Sequence, residues 1–213
     1  DGEKVCYADG KFYLESGYAD AHLHCLCGAE TAVGATCEKC GSKTQVWGGV
    51  STLPTATGYY YLTADISATP LIPADNANVA ICLHGHTVTS KAGKKLGYLQ
   101  KGATLTITDC AEDPGNLTGV VNEPVIQAAA GTTLNLYGGK ISGNTNTGDA
   151  VIQASKGTAT TIGATFNMYG GEISGNTVNR GTVMMGTATG SEQNAIVRIL
   201  GGTITGNHAT GTS

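Results

Sequence analysis

The phrase LNLYGGKISGN at residues 134–144 returns as FNMYGGEISGN at 166–176 and as VRILGGTITGN at 197–207. Apolar and polar residues alternate at the start of each copy. Leu134 and Leu136, Phe166 and Met168, and Val197 and Ile199 point one way, while Asn135, Asn167 and Arg198 point the other. A period of two is a strand with one face in a core and one in solvent. The glycine pair that follows, Gly138-Gly139, Gly170-Gly171 or Gly201-Gly202, permits a sharp corner with positive φ. Ile141, Ile173 and Ile204 then return to the interior, and each copy closes on Gly-Asn. Asn144, Asn176 and Asn207 therefore fall in register at a turn, where their amides can bond to one another along a stack and satisfy turn backbone groups.

A further apolar strand precedes each copy. YLQ at 98–100, VIQ at 125–127, VIQ at 151–153 and VMM at 183–185 recur at spacings of 27, 26 and 32 residues. Repeats of about 20–50 residues signal a solenoid. An earlier coil begins near Tyr59 and includes VAICLHGHTVT. Because equivalent residues of stacked strands sit about 4.8 Å apart, Lys140 is expected beside Glu172, and Tyr137, Tyr169 and Leu200 are expected to form a column.

Composition agrees with an all-β chain. Of 213 residues 32 are glycine and only 13% are charged, and Thr, Ser and Asn separate the apolar positions. The net charge of −4 and the scattered Lys and Arg leave no electrostatic footprint for nucleic acid or an anionic membrane. No apolar run approaches the roughly 20 residues of a membrane span. The sequence ends on GNHATGTS directly after a repeat; a repeat stack needs a cap, so a fragment of a longer protein is expected, with self-association through the open end a further possibility.

From about residue 58 the segments YYYLTADI, ICLHGHTVT, GATLTITDC and the YGGKISGN phrases resemble right-handed parallel β-helix repeat proteins of the surface of Gram-positive gut bacteria. The resemblance implies a right-handed parallel β-helix, an extracellular location (cell surface or secreted) and an adhesin-like role. Related β-helices include adhesins, pectate-lyase-like enzymes and glycoside hydrolases, so the likeness speaks for fold more than for activity.

The first forty residues carry Cys6, Cys25, Cys27, Cys37 and Cys40, the last four in HLHCLCG and CEKCG. Two short Cys turns closed by glycine suit a tetrahedral metal, which makes Cys25, Cys27, Cys37 and Cys40 the ligand set and structural zinc the expected cofactor. His22 or His24 could replace Cys25, Cys6 could enter the site, and disulfides are the alternative. Four thiolates would leave no open position for a catalytic water. Residues 1–57 thus read as a Cys/His-rich cap over the N-terminal end of the β-helix, and 58–213 as the repeats. Cys82 and Cys110, 28 residues apart, read as structural: buried core thiols, or a disulfide between coils. His84 and His86 read as solvent-facing turn residues.

An active site is harder to find. A glycosidase needs two suitably spaced carboxylates and a lyase needs carboxylates for calcium plus a base. Glu123, Asp149, Glu172 and Glu192 occupy different coil positions, and Asp109, Glu112 and Asp113 fall in a Pro-Gly turn where solvated carboxylates are ordinary. What varies between coils is the loop before the second strand, longest at 155–165 and 186–195. Insertions on one face often form a solenoid's binding surface. Lys156, Thr158, Thr160, Thr161, Glu192, Gln193, Asn194 and Arg198, with Tyr137 and Tyr169 nearby, are the candidate binding residues. The expected function is a non-catalytic binding or display module for a glycan or a host protein, with a polysaccharide lyase or hydrolase, or a plain spacer, as alternatives.

Overall fold

The computed structural model describes residues 5–8, 11–14, 22–30, 32, 34–68, 70–146 and 150–211, of which 5–8, 11–14 and 146 by backbone alone. Among these residues the single helical element is a 3-10 turn, Lys91–Gly93. Strands stack in columns. The longest sheet runs, edge to edge, through His22–His24, Gln45–Val50, Gly58–Leu62, Asn78–Cys82, Thr104–Thr108, Thr133–Leu136, Thr165–Met168 and Ile196–Ile199. A second sheet stacks Ile66–Ala68, Val88–Ser90, Asn116–Thr118, Lys140–Ser142, Glu172–Ser174 and Thr203–Thr205. A third stacks Gly97–Leu99, Ile126–Ala128, Ala150–Ala154 and Gly181–Met185. The chain visits the three in turn and returns one rung higher, and pairing between coils is parallel. This is a parallel β-helix.

The core lies inside the coils. Val79, Leu105, Leu134, Phe166 and Val197 form one inward column, and Val88, Leu117, Ile141, Ile173 and Ile204 another. Each fully buried isoleucine or leucine contributes about 1.5–3 kcal/mol of transfer free energy. The two corner glycines have different tasks. The second of each pair takes φ of +79 to +83°, which an L side chain rarely adopts. The first needs room, because a Cβ on Gly170 or Gly201 would strike the backbone carbonyl of Tyr137 or Tyr169 in the coil beneath.

The asparagines form a buried ladder. The Asn144 side-chain amide donates to Oδ1 of Asn176 at 2.9 Å, and that of Asn176 to Oδ1 of Asn207 at 2.8 Å. Each Oδ1 also accepts a backbone amide, from Val120, Asn144 and Asn176 in turn, and each Nδ2 reaches a carbonyl, of Leu117, Ile141 and Ile173. The ladder thus satisfies turn groups that would otherwise be buried unpaired.

In the third sheet the register differs from the sequence alignment. Tyr98 pairs with Gln127 rather than Val125, and Val183 with Ile152 rather than Val151. The latter is a one-residue slip, which exchanges inward and outward faces. Lys140 does stand beside Glu172, but its ammonium pairs with Asp113 of the preceding coil at 3.4 Å.

The N-terminal head departs from expectation more strongly. Its last residues do meet the end of the stack, where Val50 and Leu53 pack against the coil core, but the turn that carries Cys25 and Cys27 lies elsewhere, with Gly28 against Asp109. The strand Gln45–Val50 is shared: Gly48, Gly49 and Val50 extend the coil sheet through Tyr60, Tyr61 and Leu62, whereas Gln45, Val46 and Trp47 pair antiparallel with His24, Leu23 and His22. Trp47 packs on Ala80 and Cys82, which point out of the coil, with Leu26, Tyr59, Tyr61 and Cys110 around it. The head therefore lies on the lateral face of the long sheet. A separate antiparallel hairpin, Val5–Ala8 with Lys11–Leu14, sets Cys6 opposite Tyr13; the Cys6 side chain and Asp149 lie outside what is described.

Replacing Asn176 by Ala removes both faces of a ladder rung and is expected to cost about 2–4 kcal/mol, whereas Lys140→Ala should cost less than about 1 kcal/mol. Urea denaturation of the two variants checks this, and equal midpoint shifts would refute it.

Candidate metal centre

Two tight turns bring four sulfurs together. In the first, Gly28 N donates to Cys25 O and Cys25 N to Ala29 O; in the second, Gly41 N donates to Cys37 O and Cys37 N to Ser42 O. Gly28 at φ +79° and Gly41 at +70° let each turn reverse. Ser42 joins the two turns, its hydroxyl accepting from Leu26 N at 3.0 Å and lying 3.0 Å from Cys40 Sγ. The sulfur separations are 3.3 Å for Cys25 and Cys27, 3.7 Å for Cys27 and Cys37, and 3.5 Å for Cys40 and Cys25. A tetrahedral ion with metal–sulfur bonds of about 2.3 Å has sulfur–sulfur edges of about 3.8 Å. A disulfide needs about 2.05 Å, so this spacing fits an ion shared by all four better than either bridge. The cluster can hold a metal.

The electrostatics agree. Burial pushes the Cys25 and Cys27 thiols up. A hydrogen bond from Cys25, with the amides of Cys40 and Lys39, holds Cys37 down. Burial also pushes Cys40 up, but hydrogen bonds from the Ser42 hydroxyl and amide outweigh it and hold the thiol down at about 6. A divalent cation would displace the remaining protons.

The other expected ligands lie elsewhere. His22 and His24 do not join the four thiols; with Cys82 and Cys110 they form a second group, whose ligand atoms all lie within 4.8 Å of one another. Cys82 is a buried core thiol as expected, but in the small cluster beneath Trp47 rather than inside the coils, and Cys110 packs half-buried against that cluster; both thiols are free. His84 is half-buried against the head, its ring stacked on His22 at 4.5 Å, and His86 turns to Asp65 at 3.3 Å. Asp109, expected as a solvated turn carboxylate, has a different role. It is buried, and its carboxylate accepts the amides of Gly85, Ala111 and Gly115, fixing the turns that carry His84 and Cys110. Gly28 packs directly on the Asp109 carbonyl, so the first turn of the head presses on the coil backbone.

The candidate binding residues fall into two places. Loops 155–165 and 186–195 lie one above the other, joined by Lys156 Nζ to Glu192 Oε2 at 2.7 Å and Gly157 N to Gln193 O at 2.7 Å. Thr158 caps its own loop through the amides of Thr160 and Thr161, and Asn194 Oδ1 accepts Ala188 N. Tyr137 and Tyr169 stack at 4.4 Å, but at the opposite end of the same strands. Four residues of strand, about 13 Å, separate them from the loops. That gap is bridged by an outward polar ladder unseen in the sequence: Asn135 donates to Thr106, Asn167 to Asn135 and Arg198 to Asn167.

Fold and thiol cluster together define a parallel β-helix protein with a Cys/His-rich head able to bind metal. No protein-family model matches the chain, and no curated protein or solved structure matches it.

The chain's one tryptophan reports on the head, since Trp47 Nε1 donates to His24 O at 2.9 Å and its ring stacks on His24. Removing bound metal with a chelator is expected to shift Trp47 emission to the red while the far-ultraviolet dichroism of the coils persists. Unchanged emission after metal loss would show that the head folds without it.

Proposed function

We propose that this chain is a non-catalytic binding and display module of an extracellular or surface-borne bacterial protein: a rigid β-helix presenting a glycan-binding strip, with a head closed by structural zinc at Cys25, Cys27, Cys37 and Cys40. One observation carries the reading. Loops 155–165 and 186–195 are already braced to each other by Lys156, Glu192, Gly157 and Gln193, so a ligand meeting them pays little ordering entropy. From these loops the exposed Thr158, Thr160, Thr161, Gln193 and Asn194 offer hydroxyls and amides, Arg198 offers a guanidinium, and Tyr169 an aromatic face. Such a strip suits an extended oligosaccharide. A host secreted or surface protein is the other ligand class the strip could serve. Zinc is favoured because four thiolates suit its soft tetrahedral preference and leave no open coordination position. The extracellular setting rests on the β-helix resemblance from residue 58 onward.

A polysaccharide lyase or hydrolase is less well supported. Asp65, Asp75, Asp113, Glu123 and Glu192 each face a lysine or histidine, and Asp109 faces backbone amides. An acid and base free to flank a bond do not emerge among these carboxylates.

A glycan array should retain the full chain, and Thr161→Ala with Gln193→Ala, two exposed side chains of the loops, should weaken retention about tenfold or more, ~1.4 kcal/mol, without changing the melting curve. New reducing or unsaturated ends on a polysaccharide panel would establish an enzyme instead, and retention on a protein array alone would move the partner to a host protein.

The loop brace also has a pH signature. The hydrogen bond from Lys156, then those from the Thr189 amide and hydroxyl, hold Glu192 down at about 2, against an ordinary value of about 4.3. A depressed folded value stabilises above the unfolded one and is lost as pH falls through the folded one. Amide exchange of 186–195 should therefore be equally slow, after correction for intrinsic rates, between pH 7 and 5 and be accelerated by Glu192→Gln. No effect of that substitution would remove the brace from the account.

A further inference from the structure

The second Cys/His group joins parts of the molecule that are far apart in sequence. His22 and His24 come from the edge strand of the head. Cys82 ends the coil strand Asn78–Cys82, and Cys110 stands two residues past Thr108, the partner of Cys82 one coil on. Their ligand atoms converge within 4.8 Å, with Cys82 Sγ 3.4 Å from Cys110 Sγ and Cys110 Sγ 3.4 Å from His22 Nε2. For a tetrahedral ion with bonds of about 2.3 Å to sulfur and about 2.0 Å to nitrogen, the corresponding edges are about 3.8 and 3.5 Å.

The histidines are prepared for the task. His24 is buried and its Nδ1 donates to the Cys25 carbonyl at 2.7 Å, which places the lone pair on Nε2. That Nε2 is buried without a hydrogen-bond partner, a cost that no apolar wall explains. His22 is held between Tyr61, at 4.2 Å between ring centroids, and His84, at 4.5 Å. Asp109 fixes the turn of Cys110 from behind. A plain hydrophobic interface would have no use for two free thiols and an orphaned imidazole nitrogen facing one another.

We infer that His22, His24, Cys82 and Cys110 form a second metal site, of the two-thiolate, two-imidazole type taken by zinc, which clamps the head onto the side of the β-helix. Charge explains why this composition occupies the interface. Two thiolates and two neutral imidazoles around a divalent ion give a neutral complex, which a buried seam tolerates, whereas four thiolates leave two net negative charges. The doubly negative cluster sits in the head among the backbone amides of its own turns. The neutral one sits under Trp47, against Ala80 and Tyr61. Binding releases a proton from each thiol still protonated.

Elemental analysis of the full chain, purified without added metal, should find about two zinc ions per chain. The Cys82→Ser, Cys110→Ser double variant should keep about one. Cobalt substitution of the unaltered protein provides a readout that does not depend on any variant folding. Its ligand-field spectrum should be the sum of a four-sulfur and a two-sulfur, two-nitrogen centre, and the double variant should retain the four-sulfur component. One ion per chain with a pure four-sulfur spectrum would overturn the second site while leaving the first intact. A disulfide-linked Cys82–Cys110 peptide in the purified protein, or metal content unchanged in the double variant, would overturn it as well.

Discussion

The structure depends on one constraint: parallel strands one coil apart are held about 4.8 Å from each other, so every residue stands directly over its equivalent. Whatever a position carries is therefore repeated as a column. Inside, the rule stacks isoleucine on isoleucine and turns asparagine into a ladder. Outside, the same rule aligns Tyr61, Cys82 and Thr108 in one outward row, which Tyr137, Tyr169 and Leu200 extend one step past the paired strands. The head covers the first half of that row. The second half is open, with Tyr169 and Leu200 exposed.

This division gives the two halves different chemistry. Where the head lies, the outward row carries a thiol, a buried threonine and aromatic rings, groups that need cover. Beyond it, the neighbouring column becomes amide and guanidinium, Asn135, Asn167 and Arg198, which water or a polar ligand can satisfy. The head is thus more than an appendage: it closes the part of the sheet that could not face solvent and leaves open the part that can. Because it has little apolar core of its own, its position depends on Trp47, on the Gly28 contact with Asp109 and on the Cys and His side chains that meet beneath it and could hold a metal.

Much of the coil was legible in the sequence because its markers repeat. The alternation before the glycines, the corner pair and the Gly-Asn closure each recur with the same neighbours, and each performs the task its chemistry suggests. The third sheet was read with a slipped register because VIQ and VMM contain no residue restricted to one face. The four-thiol cluster was also legible, since its ligands are close in sequence and end in glycine. The second cluster was not, because proximity along the chain assigned His22 and His24 to Cys25. A clue was present: Val79 and Ile81 alternate inward, which puts Cys82 outward, and an outward cysteine one coil from another implies something that covers both. What covers them follows from the fold-back at Gly48-Gly49, which no local pattern announces.

Zinc K-edge X-ray absorption on the purified, full-length chain tests the account most directly, because it reads the ligands around the metal without altering the protein. Six thiolates and two imidazoles shared between two ions predict an average shell of about three sulfurs at ~2.3 Å and one nitrogen at ~2.0 Å, with the outer-shell scattering of imidazole rings. A shell of four sulfurs with no imidazole signature would contradict a head clamped to the β-helix through metal.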